Sequence, residues 1–256
     1  MKKVSIVTIS YNNGLELEKT INSVINQNYS DCEFIVVDGG SQDGSLNILK
    51  QYDSHIDYWV SEPDKGIYNA MNKGIDHATG EWIFFLNSGD VFAANDVLKS
   101  VDFNVKDEKI GAIFGKYKYY TRYGELLTNH ALYPFYKSNK KFRSMGFSHQ
   151  SVFVRTELAK MFHYDESYRL CADYDMMMRI YKAGYLFKRD ETIIAVCDGR
   201  GGASFNNRNL QEREMARVCG CENDFSVQLR LFIRRIERPF YRGYQKLKRY
   251  YFNQNK

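Results

Sequence analysis

The first hundred residues alternate between short apolar runs and segments whose apolar residues recur at helical spacing. Strands are predicted over residues 4–9, 33–37, 56–60 and 82–86. Helical spacing is clearest over 67–78, and Gly80 is a stop signal just beyond it. Repeated strand–helix alternation predicts a parallel, doubly wound sheet with helices on both faces.

The second half has a mixed pattern. Strands are predicted over 110–120, 126–133, 151–155 and 186–196, and helices over 171–183 and 207–225. A turn is expected near Gly124, and Gly184 is expected to end the first of these helices. The mixture predicts an α+β arrangement that follows the parallel part.

Composition and charge narrow the class of protein. A hydrophobic fraction of 44% with only three prolines is typical of a folded globule. The five scattered cysteines predict reduced thiols in a cytoplasmic protein. No run approaches the ~18 apolar residues of a membrane span.

The C-terminal segment, residues 226–256, carries most of the positive charge. It holds nine basic residues and one acidic residue, so its net charge is +8 within a chain of net charge +5. Apolar and aromatic residues alternate with these cations, and Pro239 is expected to divide the segment into two helices. The pattern predicts peripheral binding to an anionic membrane, with packing on the catalytic domain or on a second subunit as the alternative. Nucleic acid is not expected, because the remainder of the chain is acidic.

Polar residues follow each of the first four predicted strands. These segments are 10–13, 38–44, 62–66 and 87–90. Because ligands of open α/β sheets bind beyond the carboxyl ends of the strands, one binding site is predicted at this edge. Asp38 suits a hydrogen bond to a base or ribose. Asp90 suits a divalent metal that neutralises a nucleoside diphosphate, with helix capping as the alternative.

Four segments in the first hundred residues carry a family resemblance. They read VSIVTISYN at 4–12, VVDGGSQDG at 36–44, DKGIYNAMNKG at 64–74 and ATGE at 78–81. In order and spacing the chain resembles the family 2 glycosyltransferases, and within them the bacterial exopolysaccharide, capsule and colanic-acid transferases.

The resemblance implies a GT-A fold, which is an α/β fold with a Rossmann-like mixed sheet. It implies a catalytic domain over 1–205, with a nucleotide-sugar-binding half (1–95) and an acceptor half (96–205), followed by C-terminal helices over 206–256. The implied reaction moves a sugar from a UDP- or GDP-sugar to a carbohydrate or lipid-linked acceptor. It proceeds with inversion and a divalent metal, Mn or Mg, and serves surface polysaccharide biosynthesis.

The resemblance also implies roles for single residues. The nucleotide-binding residues carried over are Thr8, Ser10, Tyr11, Asp38, Asp64 and Lys65. Asp90 is the implied metal ligand, although Asn87 and Gly89 stand where most members have further carboxylates. Asp173 matches the catalytic base, with Asp175 as a rival. Ala172 replaces the usual Glu beside it.

Four residues are expected to contact the acceptor or the diphosphate, namely Asn87, His149, Asp175 and Gly202. His149 could equally be an ordinary surface or core histidine, and Gly202 could belong to a simple turn. Two other functions stay open. One is a sugar-nucleotide nucleotidyltransferase, although residues 11–14 lack the cations expected after the first strand; the other is a non-catalytic nucleotide-sugar scaffold.

Overall fold

The computed structural model describes residues 3–120, 124, 126–129, 135–137, 143–198 and 207–233. Within the first hundred residues the elements are β1 (Val4–Ser10), α1 (Gly14–Ile25), β2 (Cys32–Asp38), α2 (Ser45–Gln51), β3 (Tyr58–Ser61), α3 (Ile67–His77), β4 (Trp82–Phe85), β5 (Val91–Phe92) and α4 (Val97–Ser100). A short 3-10 turn, Asp53–His55, precedes β3.

The second half contains longer strands and three helices. Its elements are β6 (Ile110–Tyr120), β7 (Leu126–Asn129), β8 (Phe135–Lys137), β9 (Arg143–Met145), β10 (Val152–Arg155), α5 (Thr156–Phe162), α6 (Ala172–Lys182), β11 (Leu186–Asp198) and α7 (Arg208–Val218). A 3-10 turn, His149–Ser151, precedes β10, and residues 225–233 are helical.

One mixed sheet runs through both halves. Among the described residues it contains nine strands, in the order β3-β2-β1-β4-β10-β6-β11-β5, with β7 paired to β6. The strands β3, β2, β1 and β4 are mutually parallel, as the alternating pattern predicted. Strand β10 is antiparallel to both of its neighbours and joins the halves.

The sequence predicted the long elements and missed the short ones. Strand β5 has two residues and α4 has four, too few to establish a period. Helix α5 was also missed. The helix predicted over 207–225 was wrong in its end, because α7 stops at Val218 and a turn through Gly220 separates it from the helical residues 225–233. Part of the predicted strand 126–133, residues 130–133, lies outside the described residues.

Both faces of the sheet are buried, which explains the uninterrupted apolar runs. Along β1, Val7 and Ile9 face the layer that contains α3, α5 and α6. Val4 and Ile6 face the layer that contains α1 and α2. The methionines Met176, Met177 and Met178 of α6 are buried in the first layer. The rigid sheet therefore fixes the positions of the loops at its carboxyl edge.

The C-terminal helices pack on the second half of the chain. Val227 and Leu231 are buried against Ala216 of α7, and α7 packs against α6. Within the part of the chain that the structure describes, no helix is long and apolar enough to cross a bilayer.

A buried carboxylate, Glu33, lies at the amino end of β2, opposite the edge where the polar loops meet. Glu33 is 9% exposed and accepts hydrogen bonds from the Ser5 hydroxyl (2.5 Å), from the N–H and hydroxyl of Thr79 (2.6 and 2.8 Å), and from Gly80 N–H (3.1 Å). Burial alone would raise its pKa. The hydrogen bonds outweigh burial, so the pKa of Glu33 lies below its ordinary value.

We predict that Glu33→Gln lowers the free energy of unfolding by about 1–3 kcal/mol at neutral pH, because it leaves buried donors without their acceptor. A lowered folded-state pKa stabilises the fold above the unfolded pKa, and that stabilisation is lost as pH falls through the folded value. The difference between variant and parent should therefore shrink in acid. Urea unfolding at neutral and acidic pH measures it, with Glu108→Gln, at an exposed loop position, as the control. A difference that grows in acid would contradict the assignment.

Candidate functional site

The carboxyl ends of β1, β2 and β3 are in register, so their polar residues meet at one edge. Ser10 lies beside Asp38, and Asp38 lies beside Ser61. Asp38 is fully buried and accepts hydrogen bonds from Ser61 Oγ (2.7 Å), Ser41 N (2.9 Å) and Ser41 Oγ (2.5 Å). The carboxylate thus holds the loop after β2 against the end of β3, which shapes the predicted nucleotide pocket.

Tyr11 and Asp64 approach each other across Gly39. A methyl group at Gly39 would lie 3.0 Å from Asp64 Oδ2 and 3.1 Å from Tyr11 Cδ2, so a side chain there would crowd both. Tyr11 is 67% exposed, so its side chain is open to solvent at this edge of the sheet. Asp64 is paired with Lys73 at 2.6 Å, and Lys65 is exposed beside it.

Thr8 lies deeper than the other predicted nucleotide-binding residues. It is fully buried, and its hydroxyl donates to the carbonyl of Leu86 at 2.7 Å. Ser10 is 7% exposed, and its hydroxyl has no hydrogen-bond partner among the described residues. A buried hydroxyl without a partner at a cleft edge suits a ligand contact. The nucleotide-binding roles of both residues stay predictions.

Residues 87–90 form a tight turn after β4. The N–H of Asp90 donates to the carbonyl of Asn87 at 2.9 Å, and Gly89 has φ +101°, which a side chain would strain. Thr20 of α1 fixes the turn, because its hydroxyl accepts from Gly89 N–H (3.0 Å) and donates to the Asp90 carbonyl (2.8 Å). Gly89 is therefore required by the backbone, in a position where most family members were expected to carry a carboxylate.

Asp90 is 5% exposed and points into the second half of the chain. Its Oδ2 accepts a hydrogen bond from Gln150 Nε2 at 3.0 Å. The thiol of Cys197 lies close to it: burial first, and then the charge of Asp90, raise the pKa of that thiol. Asp90 precedes β5 and caps no helix of the described chain.

Asp90 and Asn87 offer oxygen atoms of the kind that bind a divalent metal. No group of three or more His, Cys, Asp or Glu that could hold an ion occurs within the described ranges. The buried amide oxygen Asn87 Oδ1 has no hydrogen-bond partner there. A carboxylate and an amide oxygen are hard donors, and Mg²⁺ commonly binds through one or two carboxylates with substrate phosphates and water. Asp90 and Asn87 thus fit a cation whose other ligands come from a diphosphate.

Asp173 lies in the first turn of α6, and its side chain turns to His149 instead of capping the helix. His149 Nδ1 lies 2.9 Å from Asp173 Oδ2, with the two side chains 33% and 15% exposed. Cys171 is the N-cap residue and makes no side-chain cap hydrogen bond. Burial lowers the pKa of His149, but the hydrogen bond to Asp173 and the charges of Asp173 and Asp90 outweigh it, so the net shift is upward.

Two buried tyrosines line the same carboxylate. Burial first, and then the negative charge of Asp173, raise the pKa values of the Tyr68 and Tyr164 hydroxyls far above the ordinary value. Both hydroxyls therefore stay protonated at neutral pH.

The rival carboxylate, Asp175, is committed to a different contact. Its Oδ2 pairs with Arg179 Nε at 2.7 Å, one turn along α6. Arg179 also donates to the carbonyls of Phe162 and His163 at the end of α5. Asp175 thus belongs to a bridge between two helices.

A single turn connects the two predicted functional carboxylates. His149 contacts Asp173, and the next residue, Gln150, contacts Asp90. The Ser148 hydroxyl donates to Gln150 Oε1 at 2.7 Å, which orients the Gln150 amide with its nitrogen towards Asp90. The structure brings together Asp90, His149 and Asp173 through this turn. Gly202 lies outside the described residues.

Sequence reasoning missed several residues that shape the site. Tyr68 lies in the 64–74 motif and Gln150 follows His149, but no spacing rule pairs them with Asp173 and Asp90. Asn72 of α3 exchanges two hydrogen bonds with the backbone of Tyr164, with Nδ2 donating to its carbonyl and Oδ1 accepting from its N–H, both at 2.9 Å. The motif at 64–74 thus joins the two halves.

Comparison of the sequence with known proteins identifies relatives of the chain. The profile of Glycosyl transferase family 2 matches residues 5–163. The chain is 46% identical over 96 residues to an uncharacterised glycosyltransferase of Mycobacterium tuberculosis and covers only 37% of that protein. It is 27% identical over 208 residues to a PGL/p-HBAD biosynthesis glycosyltransferase of Mycobacterium bovis, with 78% of each chain covered.

Solved structures share the fold at low identity. The structure of Staphylococcus aureus TarS 1–349 in complex with UDP-GlcNAc has a TM-score of 0.65 at 17% identity, covering 84% of this chain and 66% of that one. A mannosyltransferase of Pyrobaculum calidifontis in complex with GDP-Man and Mn²⁺ has a TM-score of 0.63 at 16% identity, covering 84% and 62%. The expected GT-A fold is confirmed by these neighbours. With the family profile spanning more than half of its residues, the chain belongs to glycosyl transferase family 2.

Proposed function

We propose that the chain transfers a sugar from a nucleoside-diphosphate donor to a carbohydrate or lipid-linked acceptor by direct, inverting displacement. One observation carries the proposal. Asp90 and Asp173 come from opposite halves of the chain, and His149 and Gln150 of a single turn contact one each. A donor diphosphate and an acceptor hydroxyl need two such carboxylates on opposite sides of the anomeric carbon.

The donor half supplies binding. Tyr11, exposed at the cleft beside Asp64, offers a ring for the base, and the Ser10 hydroxyl offers an unused hydrogen-bond donor. A divalent cation would neutralise the charge of the diphosphate, and Asp90 and Asn87 would hold that cation. UDP-sugars and GDP-sugars are proposed as donors because the two structural neighbours were solved with UDP-GlcNAc and GDP-Man.

The acceptor half supplies the base. Asp173 takes the proton of the acceptor hydroxyl as its oxygen bonds to the anomeric carbon, while the bond from that carbon to the diphosphate oxygen breaks. His149 donates through Nδ1 and keeps Asp173 turned towards the cleft. Asp175, held by Arg179, is a less suitable base. A role in surface polysaccharide biosynthesis rests on the family resemblance.

A lipid-linked acceptor would lie in a membrane, so the protein is proposed to bind the membrane surface. The C-terminal helix, residues 225–233, offers an apolar face for this binding. Phe225, Leu229, Phe232 and Ile233 are exposed on residues 225–233, while Val227 and Leu231 face inward. The sequence beyond Ile233 carries eight basic residues and one acidic residue. An exposed apolar face that leads into a basic, aromatic segment fits an anionic membrane surface.

The transfer function predicts release of nucleoside diphosphate by the wild-type protein incubated with UDP-GlcNAc or GDP-mannose, Mn²⁺ and candidate saccharide acceptors. Asp173→Asn should lower this turnover by about a hundredfold or more, the usual contribution of a general base, while leaving donor binding intact. Asp175→Asn is the matched control and should retain more activity, because Asp175 contacts Arg179. The reversed order of the two variants would make Asp175 the base.

Other products of the same assay would point to other functions. Pyrophosphate exchange would favour a nucleotidyltransferase, and donor binding without any turnover across a donor panel would favour a scaffold. Either result would overturn the proposed transfer.

Metal binding predicts a specific effect of Asp90→Asn. Mn²⁺ should raise the melting temperature of the wild-type protein further when UDP is present, since a ligand stabilises the fold that binds it. Asp90→Asn should remove most of this added shift and abolish turnover, whereas Asp96→Asn, at an exposed position, should not. An undiminished Mn²⁺ effect in Asp90→Asn would exclude Asp90 as the ligand.

Membrane binding predicts sedimentation of the protein with vesicles that contain phosphatidylglycerol but not with phosphatidylcholine vesicles. Each cation near such a surface contributes roughly 1 kcal/mol and is screened by salt, so binding should weaken as salt rises. A chain that ends at Ile233 retains the packed Val227 and Leu231 and should lose binding. Equal, salt-independent binding by both chains would refute the proposal.

A further inference from the structure

A buried glutamate of α7 contacts the loop that leads into α6. Glu214 is 8% exposed. Its Oε1 accepts a hydrogen bond from the backbone N–H of Arg169 at 2.9 Å, and its Oε2 accepts from those of Leu170 (2.9 Å) and Cys171 (3.0 Å). Helix α7 lies beyond residue 163, where the match to the family profile ends.

These three hydrogen bonds fix the backbone of residues 169–171. The residues lie in a loop, so helix or strand partners do not satisfy their N–H groups. Hydrogen bonds to an ionised carboxylate are stronger than those between neutral groups. Removing the acceptor would leave donors unpaired, one of them on Cys171, which is 3% exposed. The loop conformation therefore depends on Glu214.

Further contacts from the same helix hold the flanks of this loop. Arg217 lies over the Tyr168 ring at 4.3 Å and donates to Ser167 Oγ at 2.9 Å. On the other side, the Tyr174 hydroxyl lies 3.2 Å from Cys219 Sγ. Residues of α7 and its C-cap therefore contact the chain on both sides of the loop, and Glu214 contacts the loop itself.

The loop determines where α6 begins. The first backbone hydrogen bond of the helix runs from Asp175 N–H to the carbonyl of Cys171 at 2.9 Å, and Cys171 is the N-cap residue without a side-chain cap. Asp173 stands two residues after Cys171 and faces His149. A change of the backbone at Cys171 would therefore move the Asp173 carboxylate.

We propose that Glu214 is a positioning residue for Asp173, which makes α7 a working part of the active site. The inference rests on the proposed function, in which Asp173 is the base. Glu214 touches no reacting atom. It acts by holding residues 169–171, and displacement of a reacting group by about 1 Å can cost about a hundredfold in rate.

The test is Glu214→Gln, which places an amide N–H₂ where the loop N–H groups need an acceptor. For release of UDP or GDP from UDP-GlcNAc or GDP-mannose, kcat should fall about tenfold to a hundredfold. The KM for the donor should stay within about twofold, because the donor pocket is formed by the first half. Glu214→Asp, which keeps the charge on a shorter side chain, should give an intermediate kcat.

Glu212→Gln is the matched control. Glu212 lies on the same helix with 6% exposure, but it pairs with Arg230 of the helical residues 225–233 at 2.6 Å. This contact joins α7 to residues 225–233 and not to the 169–171 loop, so kcat should be unchanged.

Amide hydrogen exchange separates the positioning role from a general loss of stability. Exchange of the 169–171 amides should be slow in the wild-type protein and faster in Glu214→Gln, with the strands β1 and β4 still protected. Unchanged kcat despite faster exchange, or a rise in donor KM that accounts for the loss, would overturn the proposal. If Glu214→Gln fails to fold, Glu214→Asp and wild-type exchange decide instead, and fast wild-type exchange at these amides overturns it. Absence of any nucleoside diphosphate release by the wild-type protein would count against the proposed function, while the exchange result still judges the loop contact.

Discussion

The candidate site depends on one constraint: two carboxylates from distant parts of the chain, Asp90 and Asp173, must be held in place relative to each other. The turn at Ser148–Ser151 meets it by contacting both, through Gln150 to Asp90 and through His149 to Asp173. These contacts place fixed hydrogen-bond donors at each carboxylate before any substrate arrives. Such preorganisation is what electrostatic and general-base catalysis require.

The rest of the fold keeps this turn and its two carboxylates from moving. Thr20 of α1 braces the loop that carries Asp90, and strand β10, which follows the turn directly, is built into the sheet between β4 and β6. Asn72 of α3 is hydrogen-bonded to the backbone of Tyr164 across the two halves. Helix α7 completes the support from the other end of the chain through Glu214.

The parallel half of the fold was predictable because its signal is local. Strands buried on both faces read as unbroken apolar runs, and their polar ends mark the edge where a ligand is expected to bind. The long helices α3 and α6 were predictable for the same reason. The two-residue strand β5 and the four-residue helix α4 are too short to show a period, and tertiary contacts alone define them.

The sequence names candidate site residues one by one but does not predict how they are arranged. Asp90, His149 and Asp173 were named from motifs, yet nothing in their spacing indicates that His149 contacts Asp173, 24 positions later. Glu214 reads in the sequence as an ordinary charged residue on a helix. Its role follows only from the fold, which buries it against the backbone of a loop more than 40 positions earlier.

In the proposed reaction Asp173 deprotonates the acceptor in a single displacement, with no covalent intermediate on the enzyme. The anomeric configuration of the product tests this most directly. Nuclear magnetic resonance of the product formed from an α-linked donor, UDP-GlcNAc or GDP-mannose, should show a β-linked sugar at the earliest time points. An α-linked product would mean retention of configuration and would contradict the proposed geometry of donor, acceptor and base.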